Sequence, residues 1–248
     1  MTLAQTAHRP WPMPQQPWAM AMRWHDLLFM HWPIQSEAIR QFIPPQLTID
    51  TFDGAAWIGV VPFRMSGVRP RLVPPLPGIS AFPEINVRTY VTLEGKPGVW
   101  FMSLDAGNPI AVETARDIFH LPYYNARMTC EQVGGQIQYF SLRTHRSAPP
   151  ATFQGHYRPA GPVYDSTPGT LENWLTERYC LYAGNRRGSV WRSDIHHIQW
   201  PLQPAEADIT RNTMTDQVRL TLPDTTPLLH FAQHLEVVAW LPRRLHFS

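Results

Sequence analysis

Lysine is nearly absent from this chain: Lys96 stands alone against 20 arginines in 248 residues. Imine chemistry on a carbonyl compound needs a lysine amine of lowered pKa, so almost every candidate for it is removed. Cysteine is scarce too. Cys130 and Cys180 lie far apart in no metal-ligating or redox spacing, and two ordinary reduced thiols in a cytoplasmic protein account for them. The formal net charge is only +2, and no basic run exceeds Arg186-Arg187 or Arg243-Arg244. That excludes the concentrated basic stripe of a nucleic-acid-binding face. No apolar run reaches membrane-spanning length without proline or charge. Proline and tryptophan interrupt Met1 to Met22 where a signal peptide needs an unbroken apolar stretch. A cytoplasmic chain with no membrane and no nucleic-acid partner is the expectation.

Several catalytic and cofactor motifs are missing as well. There is no Gly-x-Ser-x-Gly elbow, and Gly134-Gly135 leads into neither Lys-Ser/Thr nor a helix, so phosphate cradling is excluded. The 11 histidines make no ligand pair: His196 and His197 are adjacent and point opposite ways on a strand, and His25 and His31 are six apart. No metal and no cofactor is expected.

Proline, by contrast, is abundant, with 26 residues. That disfavours long helices and suits short strands joined by loops. Three helices are still predicted. Ser36 caps a short one sharing Ile39, Phe42 and Ile43 on a face; Asn108-Pro109 opens a second through Phe119; Thr170 opens a third that ends in Glu177-Arg178-Tyr179. Hairpins are predicted around Asp53-Gly54 (Leu47 to Phe52 returning as Ala55 to Val61), around Glu94 to Gly98, and around Gly134-Gly135. Gly188 to Trp191, Ile195 to Trp200 and Glu236 to Trp240 are further strands, while Arg69 to Gly78 and Pro149 to Gly169 read as Pro-rich loops. Hairpins interspersed with isolated helices imply an antiparallel α+β fold. Residues 1–22 form an extended Pro/Trp-rich arm and residues 23–248 a single domain.

The richest segment is Pro83 to Val91, which alternates strictly. One face carries Ile85, Val87, Thr89 and Val91; the other carries Glu84, Asn86, Arg88 and Tyr90. Turned inward, the second face lines a pocket with polar tips; turned outward, it is a solvated face with a cross-strand ion pair. Arg116 either pairs with Glu113 on its helix or clamps an anion. Tyr123 and Tyr124, after Pro122, serve as edge aromatics or phenol donors. Arg178, flanked by Leu171, Trp174 and Leu175, is expected to be partly buried, which demands a carboxylate partner or an anionic ligand. Glu84 is a candidate partner.

The blocks Trp24 to Pro33, Trp57 to Phe63 and Phe82 to Tyr90 resemble the YqjF-like family, a domain of unknown function. Phe101 to Asp105, Leu121-Pro122-Tyr123 and His197 to Leu202 extend the resemblance over residues 20 to 245. That family is similar in turn to the acetoacetate decarboxylase-like superfamily, which implies a curved antiparallel sheet closing into a barrel or cone, short helices outside and a polar pocket within. The resemblance places the superfamily's Schiff-base lysine pair on Tyr123 and Tyr124, its pocket glutamate on Glu84, and its pocket arginine near His25. A phenol forms no imine, so Schiff-base decarboxylation is ruled out.

Three roles follow. The first is a small-molecule enzyme in which Glu84 moves a proton, Tyr123 donates to a developing oxyanion, and His25, Asn86, Arg88, Arg116, Tyr124 and Arg178 hold an organic acid or carbonyl compound. The second is a non-catalytic binder of the same ligand class. The third is an interaction module whose arm contacts a partner or a second copy; homo-oligomer formation is left open.

Overall fold

Alternating strands build most of the molecule, and two strand pairs are joined by two-residue turns. A computed structural model describes residues 3–184 and 188–247, so the Arg186-Arg187 pair lies outside the described residues. In chain order the elements are β1 (Met20–Ile34), α1 (Ser36–Arg40), β2 (Thr48–Ile49), β3 (Ala56–Pro70), β4 (Phe82–Leu93), β5 (Lys96–Ala106) and α2 (Pro109–Phe119). There follow β6 (Tyr123–Val133), β7 (Gln136–Arg143), β8 (Thr152–Pro159), β9 (Tyr164–Asp165), α3 (Leu171–Thr176), β10 (Cys180–Gly184), β11 (Val190–His196), β12 (Pro201–Asn212), β13 (Leu228–Ala239) and β14 (Arg243–Arg244). The described chain is thus mostly sheet, with three short α-helices and a 3-10 turn at Asp216–Val218. Among the described residues no helix is long and apolar enough to cross a membrane.

Three turns share one chemistry. Asp53-Gly54, Glu94-Gly95 and Gly134-Gly135 each place both central residues at positive φ, between 48° and 80°. That is the twist a two-residue hairpin needs, and glycine supplies it without steric cost. Glu94-Gly95 joins β4 to β5 and Gly134-Gly135 joins β6 to β7.

Among the described residues five strands, β4, β5, β11, β12 and β13, have three partners each, and β5 and β13 are the two where the circuits meet. β5 pairs antiparallel with β4 and parallel with both β6 and β10. β13 pairs with β1, β11 and β12. The path β4–β3–β1–β13 therefore returns to β5 twice, through β11–β10 and through β12–β8–β7–β6. Because of these circuits, β1, β3 and β4 are buried on both faces. Leu28, Met30, Ile58, Val60, Ile85 and Val87 enter one core, capped by Tyr139 and Tyr157, while Leu27, Phe29, Val61 and Phe63 enter another.

Several local expectations are corrected. The Asp53-Gly54 turn forms, with Phe52 and Ala55 bridged, but the preceding strand pairs with β4 rather than β3. Pro149 to Gly169 contains β8 and β9, and the one proline of β8, Pro159, lies at its end, away from the central ladder bonds. The expected strand Ile195 to Trp200 straddles the gap between β11 and β12. α1 is preceded by Gln35 as its capping residue, and α3 stops at Thr176, leaving Arg178 on the connection into β10. β5's two parallel joins qualify the antiparallel expectation.

The proposed arm boundary at residue 22 falls inside β1, which starts at Met20. Ahead of it, Trp11 Nε1 donates to Asp194 Oδ1 at 3.1 Å, and Trp240 Nε1 donates to the Gln16 carbonyl at 2.7 Å.

α2 borders the site described below. Asn108 Oδ1 accepts from Ile110 N (3.0 Å) and Ala111 N (3.2 Å), while its Nδ2 donates to the Ile79 carbonyl at 2.8 Å. One side chain thus caps the helix and ties down the segment after β3. Asn108→Ala is expected to cost about 1–2 kcal/mol, the upper range for a lost cap, read as a lowered urea midpoint.

Candidate functional site

β4 delivers its alternate residues to a cavity of ≈ 540 Å³, where Glu84, Asn86 and Arg88 line the wall. Tyr123, at the start of β6, and Arg178 join them. Ile85 and Val87 on the opposite face enter the core, so the period of two sorts polar from apolar residues. The pairing with β5 shifts register between Val87 and Arg88, a bulge that re-aims the strand beside the cavity. Tyr90, farther along the same face, is fully buried and lies 2.6 Å through its hydroxyl from His31 Nε2.

Glu84 is the centre of the polar floor. It is 3 % exposed, and Tyr123 Oη donates to its Oε2 at 2.7 Å. Tyr139 Oη donates to the Glu84 carbonyl at 2.6 Å and so fixes the strand beneath it. Burial raises the carboxyl pKa to about 8, a rise opposed by hydrogen bonds from Tyr123 and Asn86 and by the Arg88 charge and reinforced by Asp105. The carboxyl is therefore mainly protonated at neutral pH. Burial, with Glu84 beside it, also pushes the Tyr123 phenol far up, keeping it a neutral donor.

Arg88 forms no ion pair, with Glu84 or any other carboxylate, among the described residues. Its Nε is buried without a hydrogen-bond partner, and its guanidinium carbon lies 5.0 Å from the Phe29 ring centroid. Burial lowers its pKa, against the pull of Tyr90 and Glu84. Arg178 is different, and here the expectation of Glu84 as its partner is corrected. Its Nη1 donates to Asp50 Oδ2 at 2.6 Å, its Nε donates to the Trp174 carbonyl, and its guanidinium packs on Trp174 and Tyr90.

Three expected ligand contacts lie elsewhere. His25 is outside the cavity lining: its Nε2 is 2.7 Å from Ser66 Oγ and its ring packs on His234. Burial, with Arg64 and His234, lowers its pKa to about 4. Arg116 is exposed and donates to the Tyr123 carbonyl at 2.6 Å, so it supports the backbone of the cavity tyrosine rather than the cavity itself. Tyr124 faces away from Tyr123, as neighbours on a strand must, and lies under the Arg143 guanidinium at 4.1 Å. Lys96 also lies away from the cavity, with its Nζ 5.8 Å from the Trp11 ring.

The chemistry of the cavity thus centres on one neutral carboxyl and one guanidinium without an ion-pair partner among the described residues, set in a largely apolar wall. The profile of the DUF2071 family, described as an uncharacterized conserved protein, matches residues 21–236. The chain belongs to the DUF2071 family. YqjF of Bacillus subtilis (strain 168) is 44% identical to it over 232 residues, covering 94% of this chain and 95% of that protein. Solved structures share its fold, two of them as follows. The enduracididine biosynthesis enzyme MppR, complexed with the condensation product of pyruvate and imidazole 4-carboxaldehyde, aligns over 92% of this chain and 90% of its own with a TM-score of 0.62 at 11% identity. An acetoacetate decarboxylase aligns over 95% and 91% with a TM-score of 0.61 at 13% identity. The DUF2071 chain therefore has acetoacetate decarboxylase-like neighbours in fold.

Other residues of this DUF2071 cavity escaped the sequence. Thr176, Ser193 and His197 also line it, all buried. His197 points both ring nitrogens at carbonyls, of Ile198 (2.6 Å) and Arg178 (3.4 Å), and burial lowers its pKa to about 4. The correct frame of β11 would have put Ser193 on one face with Ile195. Nothing local marks Asp50 as the partner of Arg178, 128 residues away. Among the described residues no group of three or more His, Cys, Asp or Glu is placed to hold a metal.

Proposed function

We propose that this DUF2071 protein takes a small organic acid or carbonyl compound into the cavity and moves a proton on it by acid–base chemistry, with no Schiff base. The closed circuits of strand pairing then serve as a barrel- or cone-like shell around the reacting groups. The observation that carries the proposal is Glu84, a buried carboxyl with a pKa of about 8, sharing a cavity with the unpaired Arg88. Arg88 attracts an anionic ligand group. Tyr123 and Asn86 hold the Glu84 carboxyl by hydrogen bonds and orient it to give a proton to a carbonyl, or to take one from the carbon beside it. Near pH 8 both protonation states are populated, the condition under which one group serves as acid and base. Support comes also from MppR, whose solved structures include one complexed with pyruvate.

Pyruvate is accordingly the probe. Proton NMR in deuterated buffer reads exchange of its methyl protons, the reaction expected of a group that takes a proton beside a carbonyl. The wild-type chain is expected to speed this exchange at least tenfold over buffer, and Glu84→Gln to abolish the effect. Equal exchange in both proteins rejects the catalytic role.

Pyruvate binding should also depend on pH. Below pH 8 Glu84 is neutral and leaves the Arg88 charge to the ligand. Above it the carboxylate competes for Arg88 and repels the anion, with Asp105 adding to the repulsion and the Tyr123 and Tyr139 phenols staying neutral. Calorimetry should find binding about tenfold weaker at pH 9 than at pH 7, and no such loss in Glu84→Gln. A flat profile in the wild type counts against Arg88 as the anion's anchor.

A further inference from the structure

The polar floor is a small part of the cavity wall. Above it stand Met22, Trp24, Phe63 and Met65, and the mouth is rimmed by apolar side chains from three separate segments. Val73 and Leu76 come from the stretch after β3, Ile110 and Ile118 from α2, and Leu241 from the residue pair following β13. These five are 40%, 49%, 59%, 45% and 63% exposed, and they are the majority of the large hydrophobic residues that the described chain leaves exposed. On α2 the arrangement is periodic. Ile110, Thr114 and Ile118, four residues apart, make a stripe toward the cavity, while Val112 on another face is fully buried in the core. A helix needs only one apolar face to pack, so the second has no structural task.

Size gives a further constraint. A ligand such as pyruvate has a few heavy atoms, whereas cavities of about 300–1,000 Å³ hold molecules of drug size. At ≈ 540 Å³ the cavity falls within that range. A small acid seated on Glu84 and Arg88 would leave the apolar walls and rim uncovered.

We infer that the ligand is an amphipathic monocarboxylate, whose acid group meets Arg88 and Glu84 and whose apolar chain runs between α2 and the segment after β3 to the rim. This rests on the acid-binding role proposed above and names the substrate class within it. The acid head accounts for the buried, unpartnered Nε of Arg88. The apolar tail accounts for exposed hydrophobic residues gathered from distant parts of the chain around one opening. A short, fully polar ligand explains the first of these features but not the second.

Calorimetric titration of the full chain at pH 7 with acetate, butanoate, hexanoate, octanoate and decanoate, all below micelle formation, tests the inference. Affinity should tighten about fourfold per added methylene until the rim is reached, the factor expected when each methylene leaves water for an apolar wall. Octan-1-ol should bind at least tenfold more weakly than octanoate. Ile110→Ser/Ile118→Ser, at exposed positions whose change adds no charge and leaves the core intact, should erase the gain at the long end and change butanoate affinity much less. Acids that bind with no dependence on length overturn the amphipathic assignment and leave the acid site standing. Length dependence retained in the double variant overturns the placement of the tail along α2. If no acid of any length binds, or octan-1-ol binds as tightly as octanoate, the acid-binding role itself falls.

Discussion

Glu84→Gln should make the protein more stable in alkaline solution while removing its proton-transfer group. The wild-type carboxyl titrates at about 8 in the fold, against 4.5 for an ordinary glutamate, because burial penalises the charged form. Between those values the folded state holds a proton that the unfolded chain has released. The stability linked to this proton is fully present below pH 4.5 and drains away as pH rises toward 8, the sign for any group whose folded pKa is raised. Integrated from pH 6 to pH 9, the loss is about 3 kcal/mol. Glutamine has no proton to lose, fits the same volume, and keeps a carbonyl oxygen for the Tyr123 hydroxyl. Urea midpoints measured at both pH values should show the wild type falling by that amount relative to the variant. Parallel pH profiles would mean that Glu84 is solvated in solution, and the acid–base proposal would lose its foundation. A group that weakens the fold where its charge is useful is the trade expected at a functional site.

How far the site was visible beforehand depends on the range of the signal. Alternation over Pro83 to Val91 is local, and it separates cavity residues from core residues in the structure. Asn108-Pro109 and the paired turn residues are equally local, since cap chemistry and positive φ act within a few positions. β12 was missed because Leu202 is its one buried residue and it carries Pro201 and Pro204, so it reads like loop. The parallel joins of β5 to β6 and β10 have no local signature at all. Of the candidate residues, Glu84, Asn86, Arg88, Tyr123 and Arg178 line the cavity, whereas His25, Arg116 and Tyr124 do not. His25 was displaced because the likeness that suggested it carries no side-chain direction. Tyr124 was displaced by the pleat itself. The apolar rim is the least legible feature, being assembled from residues near 75, 114 and 241 that singly look like ordinary surface.

The other large effect concerns the support beneath the cavity. Asp105 on β5 and Arg143 at the end of β7 form a doubly hydrogen-bonded ion pair, Nη2 to Oδ1 at 2.6 Å and Nε to Oδ2 at 2.8 Å, with side chains 1 % and 0 % exposed for arginine and aspartate. Arg143 also donates to Gln217 and to the Pro149 carbonyl and covers the Tyr124 ring. Asp105→Ala strands a buried guanidinium, and the expected cost is about 3–5 kcal/mol. Replacing both partners with apolar residues, Asp105→Leu/Arg143→Met, should recover most of that loss, because two desolvated charges attract each other little more than their burial costs. The denaturation midpoints of the two variants separate the ideas: if the double variant is as unstable as Asp105→Ala, packing rather than the stranded charge is responsible. The site responds as well. Asp105 lies opposite Tyr124 in the parallel join of β5 and β6, one residue from Tyr123, and its charge contributes to raising the Glu84 pKa. Asp105→Asn removes that charge while keeping an acceptor for Arg143, so the pH at which pyruvate binding weakens should move down. The ion pair would then be doing two jobs, holding the strand that bears Tyr123 and setting the pH at which Glu84 gives up its proton.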